Sequence, residues 1–167
     1  MRWEKLFADL EGMADDDALA ERDALVNDLR DGERAATTWQ QLTGGEVSFE
    51  VAGAGRIDGS VQSGNRQFIH VLTDRAHMLV SPDAVMAVMG ASRRAAKPSA
   101  VSSGLGWSYV FRLLQRDQDR VQIYRTDAST RSGNVVLVGA DFVQIRDEAG
   151  NAPMVPYVAI AAVSCPR

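Results

Sequence analysis

His70 and His77 are the only imidazoles in this chain, and they flank Asp74. Two histidines and a carboxylate make a minimal metal-binding set, and a single imidazole can act as a base near neutral pH. Period-two alternation puts His70 and His77 on neighbouring strands, where a turn can bring them together across the ladder. The second half of the chain carries Gln144 and Pro153 at the aligned positions. The expectation is therefore a pair of exposed or edge-strand histidines, with no metal and no catalytic residue. Other reaction classes find even less. Ser103 and Ser108 have no neighbouring histidine, and the nucleophile-elbow motif is absent. Gly53-Ala54-Gly55 and Gly104-Leu105-Gly106 lack the further glycine and the strand-to-helix setting of a dinucleotide loop, so they read as turns. Cys165 is the single cysteine, which excludes an internal disulfide and a thiolate metal cage. The chain reads as a protein without enzyme activity, cofactor or small-molecule substrate.

Two groups of residues carry binding chemistry instead. Trp3, Phe7 and Leu10, with Leu6 and Met13, are spaced three and four apart, as one apolar helix face requires. They are candidate partner-binding residues. Arg93, Arg94 and Lys97, followed by Arg112 and Arg116, are candidate contacts for nucleic acid. Trp107, Tyr109 and Tyr124 interleave with the later arginines, as in grooves for single strands. Asp117, Asp119, Asp127 and Asp141 interrupt that field. Net charge is −4 but uneven: residues 1 to 43 carry five basic and eleven acidic side chains, so the remainder is slightly basic. An acidic segment repels phosphate, so any nucleic-acid contact belongs to the later three quarters. No apolar run approaches the roughly 20 residues of a membrane helix. The opening segment lacks the apolar centre of a secretory signal, so the expected location is cytoplasmic.

The elements that must position these residues follow from a repeat. Val47, Phe49, Gly59, Val61, Phe68, Ile69 and Val71 return 74 places later as Val121, Ile123, Gly133, Val135, Phe142, Val143 and Ile145. After one inserted residue, Leu79, Val80, Val85 and Val88 return 75 places later as Met154, Val155, Ile160 and Val163. A constant offset of this kind implies a duplicated supersecondary unit. Alternation predicts strands near 47–51, 56–63, 67–73, 77–81 and 84–89, and again near 119–126, 130–138, 141–147, 153–156 and 159–164. Helical spacing predicts two helices before residue 43 and another over 105–115, with Val110, Leu113 and Leu114 on its apolar side. Five short strands cannot bury one flat face alone, so each set is expected to bend into a small barrel. The segments are then 1–43, helical; 44–90, first barrel; 91–104, linker; and 105–167, helix plus second barrel.

The opening MRWEKLFADLEG and the later VGADFVQI, residues 138–145, resemble a family of small actinobacterial proteins often labelled Fis-type transcriptional regulators. Each half also resembles the Sm-like (SH3-like) small barrel, a short helix before five bent strands. The fold so implied is α+β, mainly β: N-terminal helices followed by two tandem Sm-like barrels, each preceded by a short helix. The function expected is a non-enzymatic interaction or regulatory module, acting on a protein partner or as a homo-oligomer. The alternative is a nucleic-acid-binding regulator of Sm-like fold.

Overall fold

A computed structural model describes residues 22–27, 29–30, 32, 35, 37–91 and 105–166. The chain divides into two units, Met1–Thr38 and Trp39–Arg167. In the first, the described residues between 22 and 35 are helical, and Leu25, Val26 and Leu29 are exposed.

In the second unit, a single turn of 3-10 helix, Trp39–Leu42, leads into β1 (Gly45–Val51), β2 (Gly55–Gly64), β3 (Ile69–Leu72), β4 (Ala76–Val80) and β5 (Val85–Met89). Helix α1 (Trp107–Asp117) then precedes β6 (Arg120–Arg125), β7 (Thr130–Val138), β8 (Phe142–Arg146), β9 (Met154–Pro156) and β10 (Ile160–Pro166). Each strand lies within two residues of the span that alternation predicts. Before the first five strands, the expected helix is only the 3-10 turn. Thr43 ends it: its backbone N–H and its hydroxyl both donate to the Gln40 carbonyl, and Gly44 and Gly45 follow.

The ten strands do not close into two separate barrels. They form one antiparallel sheet in the order β5-β1-β2-β3-β4-β10-β6-β7-β8-β9. The correction has a specific cause: β4 does not end the first set, because its outer side pairs with β10, from Ala162 opposite Val80 to Pro166 opposite Ala76. β10 also pairs with β6, so one strand belongs to both halves. Its side chains divide accordingly. Ala161 and Ala162 pack with Phe49, Ile69, Val71 and Val80 in one core, while Ile160 and Val163 pack with Phe111, Ile123, Val143 and Ile145 in the other. A strand buried on both faces reads as a continuous apolar run, and Ile160–Val163 is one.

Local register does repeat. Val47 stands opposite Gly59 and Val121 opposite Gly133. A Cβ on either glycine would overlap a backbone carbonyl of the next strand, Leu72 in one half and Arg146 in the other. The sheet bends so closely here that only a residue without a side chain fits. The aligned phenylalanines part company. Phe68 is buried in the second core, its ring 5.4 Å from that of Trp107, whereas Phe142 is half-buried beside the Gly139 turn.

Candidate functional site

The histidines meet, but inside the sheet rather than at an edge. His70 on β3 and His77 on β4 are diagonal neighbours, since Leu72 lies opposite His77 and Leu79 opposite His70. Nε2 of His70 lies 3.0 Å from Nδ1 of His77, with both rings half-buried. One nitrogen donates and the other accepts, so the contact needs at least one neutral ring. Burial, and then the neighbouring His77, hold the His70 imidazole below its ordinary pKa. Across β10, Cys165 stands opposite His77, and burial followed by the charge of Asp119 pushes its thiol up to about 11. A thiol so raised is held in its protonated form at neutral pH. Asp74 lies in the exposed turn between the strands. Among the described residues, no three His, Cys, Asp or Glu side chains converge to hold a metal. In the second half the ladder aligns Ala152, rather than Pro153, with His77. There Gln144 Nε2 donates to the Ala152 carbonyl at 2.6 Å, a side-chain bond in the place of the histidine pair.

A cleft of about 550 Å³ opens where the halves join, between β2, the β3–β4 turn and the Tyr124–Ser164 surface. Arg56 and Asp58 line it and pair with each other at 2.9 Å on exposed side chains. It presents charges of both signs to solvent.

The predicted binding residues divide. Trp3, Phe7, Leu10, Arg93, Arg94 and Lys97 lie outside the described residues. Arg112 and Arg116 are on the exposed face of α1, and Arg116 is tied to Asp117 at 2.7 Å. Of the arginines farther along, Arg120 pairs with Glu148 and Arg125 with Asp127. These carboxylates offset three arginines of the aromatic–arginine stretch.

The surface that sequence reading missed is the β5 end of the sheet. β5 pairs with β1 on one side, and among the described residues no strand pairs with its other side. Its sequence, Val-Met-Ala-Val-Met, contains no charge and no proline. Met86 is 73% exposed, and Met89 and Trp39 are each about two-fifths exposed. Trp39, held edge-on to Phe49, forms with Leu42, Val85, Met86 and Val88 a groove of about 340 Å³ whose lining side chains are apolar. Natural edge strands are blunted by charge, proline or shortness, and β5 has none of these. The signal in the sequence was the missing polar alternation: apolar residues on both faces of a strand mean both faces are covered or await cover.

No protein-family model matches this chain, and no curated protein matches it in sequence. Among the described residues, no helix is long and apolar enough to cross a membrane.

Proposed function

We propose that this chain is a non-enzymatic interaction module that works through protein–protein contacts, its β5 edge receiving an extended strand of a partner polypeptide. The observation that carries this reading is the contrast between β5 and β10. Both pair with the first strand of their half in the same register, yet β10 is paired on its second side and, among the described residues, β5 is not. An open ladder supplies backbone donors and acceptors for an added strand, and the apolar groove beside it supplies side-chain selectivity. Met86→Lys is the test. At a position this exposed the substitution changes stability by no more than about 0.5 kcal/mol, but it places a charge on the receiving edge. Capture of partner proteins from lysate should fall about tenfold or more and should be insensitive to salt. Unchanged capture by Met86→Lys would remove the reading. The stripe Trp3, Phe7 and Leu10, which spacing predicts on one helix face, is a second proposed contact, and deletion of residues 1–14 separates its share from that of β5.

The nucleic-acid reading has less behind it, because Arg116, Arg120 and Arg125 are matched by carboxylates. It predicts binding to a single-stranded oligonucleotide that weakens by several powers of ten between about 50 and 200 mM salt. Such a slope would put it in the place of the edge reading.

A further inference from the structure

We infer that the strand received by β5 is β9 of a second copy of this chain, so that copies associate head to tail. This rests on the edge reading above and names its partner.

The chain already contains the joint in question. β10 meets β6 with Ala162 opposite Tyr124, Val163 opposite Ile123 and Ser164 opposite Gln122. β5 meets β1 with Ala87 opposite Glu50, Val88 opposite Phe49 and Met89 opposite Ser48, and the ladder is irregular at the same point. Each β5 residue is the β10 residue 75 places earlier, and each β1 residue is the β6 residue 74 places earlier. β5 is therefore the same socket as β10. What fills the β10 socket is β4, and the counterpart of β4 is β9. β4 follows β3 with His70 opposite Leu79, and β9 follows β8 with Gln144 opposite Met154. Each then runs into a 3-10 turn, Pro82–Ala84 or Tyr157–Ala159. β9 ends the sheet, with no strand beyond it among the described residues. Every copy thus carries one open socket at one end and one matching strand at the other.

Exposure and charge agree with this pairing. Apart from Tyr109 on α1, the exposed large apolar side chains of this unit lie toward the two ends of the sheet. Trp39, Met86 and Met89 are at the β5 end, while Met154, Val158 at 91% exposure, and Leu137 are at the β9 end. Leu137, Gln144 and Met154 form one cross-strand row, so that patch is continuous with the edge. Neither β5 nor β9 carries a charged residue, so their apposition meets no like-charge repulsion. The internal joint also fixes the register: Ala162 opposite Val80 and Val163 opposite Leu79 become Ala87 opposite Val155 and Val88 opposite Met154. The copied joint is weaker by one bond. Ser81 donates its backbone N–H to the Ala161 carbonyl at 2.9 Å, and its counterpart Pro156 has no N–H to give. A head-to-tail contact of this kind builds a ring or a filament, according to the rotation between copies.

The test mixes full-length Val88→Cys with full-length Met154→Cys under mild oxidation, with wild type as the control for Cys165. Directly opposed strand residues lie within disulfide reach. A disulfide-linked pair should form in the mixture, scarcely at all in either variant alone, and the mass of wild type in solution should rise with concentration. Met86→Lys should shift that rise to about tenfold higher concentration. A linked dimer of Val88→Cys with itself would mean that two β5 edges pair, and overturns the proposal. A protein that stays monomeric and unlinked overturns it as well. The wider edge reading would then stand or fall separately on whether Met86→Lys still loses its partners.

Discussion

One side chain at the centre of the sheet, His70, sets a pH dependence of stability. The His70 ring is held below its ordinary pKa of 6.5, chiefly by burial. The unfolded chain, where the ring is free, takes up a proton first as pH falls. The resulting stability is full above the unfolded value near 6.5 and is lost as pH falls through the depressed folded value. Thermal unfolding followed from about pH 7.5 to 5.5 should show Tm falling across that window. His70→Gln, which copies the residue at the equivalent Gln144 position, should flatten the fall. An equally steep fall in the variant would mean that other groups carry it. Sequence alone could name these histidines and set them on adjacent strands. It could not bury them, because burial came from β10 lying beside β4, with Cys165 across from His77.

At the scale of elements, α1 illustrates how a helix is legible while its buried face is not. The spacing gave a helix over 105–115 with Val110, Leu113 and Leu114 inward. The buried residues are Trp107, Phe111 and Leu114, one position round the helix, with Val110 only partly buried against the core. Aromatic bulk decides this: the Phe111 ring stacks on Trp107 at 5.9 Å and on Tyr157 at 5.9 Å, from the 3-10 turn after β9. Phe111 is fully buried, so Phe111→Ala should cost about 3–5 kcal/mol, measured by urea unfolding. A loss below about 1 kcal/mol would mean that the helix is held by something else. The two terminal strands differ for an equally local reason. β9 is three residues long, and Pro156 at its end leaves it one N–H short of what β4 offers, while β5 is five apolar residues interrupted only by the bulge at Met86.

Across the Trp39–Arg167 unit, one strand ties two cores. β10 pairs with β4 and β6, gives Ala161 and Ala162 to one core and Ile160 and Val163 to the other, and Phe68 crosses from the first half to pack on Trp107. Each core is completed by residues of the other half. Calorimetry should therefore show one cooperative transition for this unit, with the van't Hoff enthalpy equal to the calorimetric value. Two resolved transitions would mean that the halves fold as separate domains. The sequence by itself determined the ten strands, the bend glycines at 59 and 133 and the repeat, because alternation and close backbone approach are written in local side chains. Which edge joined which was decided only by the tertiary structure. Strand pairing is made by backbone groups that every residue carries, and those groups give no sign of the neighbour they will meet.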